Sequence, residues 1–293
     1  GTYLNETGTG SGSLTLTDAE ADGAFTLDAN GYKGNIVVNS LSASGASTIV
    51  AGSGNTTVSS FASNGSLTIT DVGTSGTLTM QGGLSASGAI SITVGAGSGV
   101  TTFSSINTES SFTFDSSLST EDTTANSLNV LSASGVTVSL GTQGNLTFSA
   151  MESNGGAVSL STGTGSSDIT GAVNLSASNA VTINAAGSGA VTISAIGALG
   201  AFTLNATGIT TKTINVENLN NYSSGGITLN YGSGIANFDA SAVITTGGGF
   251  TLNGNSTVSA EVHIQTLSAS GAVSLNLGQA SGTVSAHSID TDG

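Results

Sequence analysis

The 293-residue chain has no cysteine, proline, tryptophan or arginine, and Lys33 and Lys212 are its only lysines. Without cysteine, no disulfide framework can hold the fold together. Two lysines cannot neutralise a run of phosphates, which excludes nucleic acid as a partner and leaves little to attract an anionic bilayer surface. No apolar run approaches the roughly 20 residues of a membrane-spanning helix. Aromatic residues make up only 4% of the chain, too few for the girdles of a membrane barrel, so no membrane insertion is expected. Hydrophobic residues reach 37%, but much of that is alanine, and a thick globular core is not expected. A thin core shared between stacked repeats is. The chain opens at Gly1 with neither methionine nor a leader pattern, which reads as a processed or excised segment. The net charge of −15, with abundant Gly, Ser, Thr and Asn, suits an extracellular or cell-surface protein.

What the chain does have is a repeat. The triplet Val181-Thr182-Ile183, apolar–hydroxyl–apolar, recurs at Phe25-Thr26-Leu27, Leu67-Thr68-Ile69, Ile90-Ser91-Ile92, Phe112-Thr113-Phe114, Val136-Thr137-Val138 and Val158-Ser159-Leu160. It continues at Phe202-Thr203-Leu204, Ile227-Thr228-Leu229, Phe250-Thr251-Leu252 and Val273-Ser274-Leu275, with Ser47-Thr48-Ile49 as a degenerate copy. A spacing of about 20 to 25 residues is the mark of a solenoid. Side chains alternate along a strand, so the outer two residues of each triplet point inward and the hydroxyl points out.

The expected fold is therefore all-β, a parallel β-solenoid (β-helix) of about twelve coils with about 22 residues in each. Residues 1–18 are expected to form an irregular start holding a first strand at Leu14-Thr15-Leu16-Thr17, and residues 19–293 the solenoid. Coils open near Ala19, Leu41, Phe61, Leu84, Ile106, Leu131, Met151, Leu175, Ile196, Leu219, Ser241 and Leu267. All of that series but Ala19 and Ser241 form a third inward column beside the two triplet columns. Burying each such side chain stabilises by roughly 1.5–3 kcal/mol. That barely offsets the ordering of one coil, so the coils stand only as a stack.

Three further patterns ride on the repeat. Asn184, Asn205, Asn230, Asn253 and Asn276 follow five successive triplets, which predicts a ladder of side-chain amides bonded from coil to coil. The motif LSASGA recurs at 41–46, 84–89 and 267–272, with LSASGV at 131–136 and LSASNA at 175–180, so the duplicated unit is two coils. Charge follows the same alternation. Asp71, Glu109, Asp115, Glu121, Asp122, Glu152, Asp168, Glu217 and Glu261 lie on coils between uncharged ones. Strands stack about 4.8 Å apart, and skipping a coil roughly doubles the distance between like charges.

The sharpest local motif is DAEADG, in which Asp18, Glu20 and Asp22 alternate before Gly23. Hard oxygen ligands gathered ahead of a tight turn make these three candidate calcium ligands. Ala29 stands where a closing bidentate glutamate would be expected, with Asp28 beside it, and an acidic surface turn is the other reading. Glu121-Asp122, in the longest turn, is a weaker candidate of the same kind. His263 and His287 fall one coil apart and are expected to be solvated on an outer face. Neither a converging pair of carboxylates nor a nucleophile placed by a motif is visible, so no catalytic residue and no required cofactor are expected, and the chain is not expected to be an enzyme. The outward Thr/Ser column suggests a ligand-facing or ice-binding face. Its neighbouring column (Asp28, Val50, Thr70, Thr93, Asp115, Ser139, Ser161 and then the Asn run) is too mixed for a regular hydroxyl lattice, and half-buried strands account for the threonines.

LSASGAxxI with GxGxxT turns resembles the repeats of bacterial surface-layer proteins and large secreted β-solenoid adhesins. The calcium-binding nonapeptide GGxGxD that often neighbours such repeats is absent. The resemblance implies secretion and surface assembly. The expected role is structural: a subunit or segment of a surface layer, fibre or adhesin stalk. The expected partners are copies of itself or adjacent segments, end to end, with a surface glycan as the other class.

Overall fold

The computed structural model describes the chain apart from residues 6–9, 73–75, 97–99, 121–122, 126–127, 131–133, 207–210, 222–224, 232–234, 255–260, 277–282 and 293. At 123–125, 128–130, 211–213, 220–221, 235–238, 241–243 and 245 it describes the backbone alone. The described elements are all strands, and each pairs in parallel with strands one coil away. The molecule is a parallel β-solenoid with about 22 residues per turn.

Its first face is a thirteen-stranded sheet running from Thr2–Asn5 to Val273–Asn276. Every triplet read from the sequence lies in it, in register. Val158, Val181 and Phe202 form one inward column, and Leu160, Ile183 and Leu204 the next. Val181 and Ile183 are fully buried, while Thr182 between them is half-buried. Most strands of this face extend two residues past the triplet, adding an inward column that includes Ala51, Val94, Leu140, Ala185 and Tyr231. Asp71 occupies the same position and is 3% exposed, unlike the half-buried or exposed Glu109, Asp115, Glu152 and Asp168.

The ladder starts earlier than expected. Thr2–Asn5, within the stretch read as irregular, pairs with Phe25–Asp28 and sets Leu4 over Leu27. Tyr3 replaces the central Thr or Ser of the triplet and Thr2 its apolar first residue, and together they hid this copy.

After each first-face strand the chain bends and crosses two further faces. The second face includes Leu14–Leu16, Ile36–Val38, Thr56–Val58 and residues 78–80, 101–103, 146–148, 169–171 and 191–193. The third includes Ala19–Ala21, Leu41–Ala43, Phe61–Ser63 and residues 84–86, 106–108, 151–153, 175–177 and 196–198. In later coils one strand covers both faces and turns the corner at a register shift, as between Met80 and Gly83 or Phe148 and Ala150. An extra residue on one strand is what lets a strand bend there.

The column that opens the third face departs from the expected series at two coils. Leu128, not Leu131, pairs with Met151, and Ile244, not Ser241, lies between Leu219 and Leu267. Leu131 itself lies outside the described residues. Leu41, Leu84, Leu175 and Leu267 each stand six residues before their triplet, whereas Leu131 stands five before Val136. A shift of one residue would turn a strand side chain to the opposite face. Ile244 has the six-residue spacing to Phe250, and Ser241 does not.

The core is filled from all three faces. Phe103 packs edge-on against Phe112 and Phe114, at centroid distances of 6.3 and 5.1 Å. Large side chains are matched to missing ones: Phe148 fills the space above Gly171, where a Cβ would meet the ring at 2.5 Å. At the corner between third and first faces the coils approach closely, and Gly45 N–H donates to Gly23 O at 3.1 Å. A Cβ on Gly88 would fall 2.7 Å from the Ser66 nitrogen, which accounts for the glycine of the SASGA motif.

Candidate functional site

Two columns stand on the outside of the first face. One is the triplet hydroxyl, represented by Thr48, Thr68, Ser91, Thr113 and Thr182, all half-buried between neighbouring strands. The other contains the asparagines, which are in register from Asn184 through Asn205, Asn230 and Asn253 to Asn276. Asn205 Nδ2 donates to Asn184 Oδ1 at 2.8 Å, Asn230 Nδ2 to Asn205 Oδ1 at 2.8 Å, and Asn253 Nδ2 to Asn230 Oδ1 at 3.0 Å. The predicted amide ladder is present over these steps. Its amides already bond one another, so this column stiffens the stack and has less capacity for a ligand.

A second hydroxyl column, on the second face, went unseen in the sequence. Thr57, Thr79, Thr102, Thr124, Thr147, Thr170 and Thr192 lie opposite one another on seven successive strands. Thr57, Thr79 and Thr102 are half-buried, and Thr147, Thr170 and Thr192 are exposed. The turns joining this face to the triplet vary in length, so no fixed offset from the triplet announces it. Asparagine and aspartate side chains line the turn before it. Asn35 Oδ1 accepts Asn55 N–H at 3.2 Å, and Asn145 Oδ1 accepts Asp168 N–H at 2.9 Å. Asp168 Oδ1 in turn accepts Ala190 N–H at 2.6 Å. Each such bond satisfies a turn amide that the sheet leaves unpaired.

Past Thr192 the column changes character, to Asn215, Asp239, His263 and Ser285. His263 Nδ1 lies 3.1 Å from Asp239 Oδ1, with the side chains 52% and 48% exposed. Asp239 breaks the charge alternation, sitting on a coil next to that of Glu261, and an imidazole stands opposite it. His263 faces Ser285 across the ladder rather than His287, which lies two residues further along its strand and is exposed.

Asp18, Glu20 and Asp22 are all exposed around the short strand Ala19–Ala21. Glu20 and Asp22 border a shallow groove of about 300 Å³ with Ser42, Ser44 and Asn64. Asp28 Oδ1 accepts Asn30 N–H at 3.1 Å, serving its own turn. Among the described residues, no three His, Asp or Glu side chains gather as a metal site. Glu121 and Asp122 lie outside the described residues. No described helix is long and apolar enough to cross a membrane.

The two ends differ from the interior. Leu275 is 41% exposed where its neighbour Leu252 is fully buried, and Ile289 is 47% exposed above the fully buried Leu267. At the opposite end Leu4, Leu14, Leu16 and Ala19 are only partly buried against the core. Three apolar columns thus run to both end faces. No family model matches this chain, and neither a curated protein nor a solved structure matches it.

Proposed function

We propose that the protein is a structural element of an extracellular surface layer, fibre or adhesin stalk, assembling through the ends of its solenoid. The observation that carries this reading is the exposure of Leu275 and Ile289, whose column-mates one coil below are fully buried. A further coil, from a second copy or from an adjacent segment, would cover them as every interior coil is covered. Strand edges carry unpaired donors and acceptors that template further pairing unless blocked, and a head-to-tail contact of this kind propagates into open filaments. The acidic, arginine-free composition and the repeat resemblance support a surface location. The reading assigns no catalytic role and needs no cofactor. The test is sedimentation velocity over a concentration series, with electron microscopy of the concentrated sample. Chains or filaments one solenoid wide are expected. A monodisperse monomer at high concentration would defeat the proposal.

A second reading is favoured by one observation, the seven-strand threonine column from Thr57 to Thr192. A regular hydroxyl array on a flat face is suited to an ice or glycan surface. Thr102→Lys with Thr147→Lys should abolish such binding, measured by ice recrystallisation or glycan pull-down, while leaving end-to-end association intact.

A further inference from the structure

The two end faces carry the same pattern in the same register. On the first face Thr2, Leu4 and Asn5 stand in the columns of Phe25, Leu27 and Asp28. Val273, Leu275 and Asn276 stand in the columns of Phe250, Leu252 and Asn253. These are the same three columns, so Leu4 is the next leucine after Leu275 and Asn5 the next asparagine after Asn276. On the second face Leu16 shares its column with Ala286, and on the third Ala19 shares its column with Ile289. Large residues thus meet small ones at both positions, as Phe148 meets Gly171 inside the stack.

From this match we propose that the carboxyl-terminal face of one copy receives the amino-terminal face of a second copy in one register: Thr2–Asn5 follows Val273–Asn276, Leu14–Leu16 follows residues 284–286, and Ala19–Ala21 follows residues 289–291. This rests on the end-stacking reading above and specifies its joint. A slip of one residue would turn Leu4 outward, and a slip of two would lose both the leucine column and the amide ladder. The same register sets Glu20 against Asp290 and Asp22 against Asp292, all four exposed. Like charges on adjacent strands repel, so the joint is held apart at low ionic strength and closes as salt screens it.

The chain has no cysteine, so paired cysteines report the register directly. Adjacent parallel strands bring opposed Cα atoms to about 4.8 Å, inside the roughly 4.4–6.8 Å range of a disulfide. Oxidised Asn5→Cys/Asn276→Cys protein is expected to give a ladder of covalent multimers, and Asn5→Cys/Ser274→Cys protein is not. Association without the 5–276 cross-link would overturn the register while leaving end stacking in place. Absence of association at any salt concentration would overturn both. Raising ionic strength from about 0.01 to 0.15 M shortens screening from about 30 to 8 Å and should strengthen association roughly three- to tenfold. Asp290→Asn with Asp292→Asn should bring low-salt association up to that level. Salt-weakened association, or a double variant indistinguishable from the parent, would overturn the electrostatic part.

Discussion

The ring of Tyr231 occupies the space that a side chain at position 254 would need: a Cβ built on Gly254 would fall 2.3 Å from both Cζ and the phenol oxygen. The two residues are partners on adjacent strands of the first face. Tyr231 is 5% exposed, and among the described residues its hydroxyl has no hydrogen-bond partner. Gly254→Ala should therefore destabilise by about 1–3 kcal/mol through overpacking. Tyr231→Phe should stabilise by about 1 kcal/mol, because it removes a buried polar group that no described residue bonds. Chemical denaturation of the two variants checks both signs.

The same phenol predicts an alkaline limit. Burial raises the Tyr231 pKa above its ordinary value of 10.0. Above that value the unfolded chain releases this proton while the folded chain retains it, so stability falls as pH rises. The contribution is intact below pH 10.0 and is lost progressively above it. Tyr231→Phe should flatten part of that decline, read as melting temperature against pH.

Ile183 is fully buried in the inward column between Leu160 and Leu204. Ile183→Asp would bury an unpaired carboxylate, and a loss of about 4 kcal/mol or more is expected. Circular dichroism and thermal melting measure it, and an unchanged melt would be incompatible with the inward column.

Asn230 both donates and accepts in the amide ladder. Asn230→Ala breaks two hydrogen bonds on a half-buried face, at about 1–2 kcal/mol in total. Asn230→Asp should be worse, because its carboxylate cannot donate to Asn205 Oδ1 and sets an anionic oxygen against that acceptor. Equal stability of parent and Asn230→Ala in urea would deny the ladder a structural role.

Calcium, if held by Asp18, Glu20 and Asp22, acts at one end of the stack. Chelation should leave strand content unchanged in far-ultraviolet circular dichroism, since the coils are held by apolar columns. Wholesale loss of the β signal in chelator would contradict that.

The first face could be read from sequence residue by residue, because one apolar–hydroxyl–apolar triplet per coil states both period and facing. The ladder from Asn184 to Asn253 was legible for the same reason: a fixed offset from the triplet is a fixed place on the face. What escaped lay beyond turns of variable length. The Thr57–Thr192 column and the Asp239–His263 pair sit on the second face, where bends absorb different numbers of residues. Leu131 misled because a five-residue motif kept its spelling while its distance to Val136 shortened by one. Thr2–Asn5 escaped because Tyr3 stands where the other copies have threonine or serine and Thr2 where most have an apolar residue.

The amide ladder also has a direction. At each of the three steps from Asn253 to Asn184, the Nδ2 group points toward the amino-terminal coil and the carbonyl toward the carboxyl-terminal one. The sheet backbone contributes only a small net dipole, whereas these side-chain dipoles align and polarise one another along the row. The row therefore has a positive pole toward Asn184 and a negative pole toward Asn253, much as a magnet has a north and a south. Two such rows meeting like pole to like pole oppose each other, and two meeting in sequence reinforce. From Asn184 to Asn253 the first face thus carries an electrical sense of forward and backward along the stacking axis.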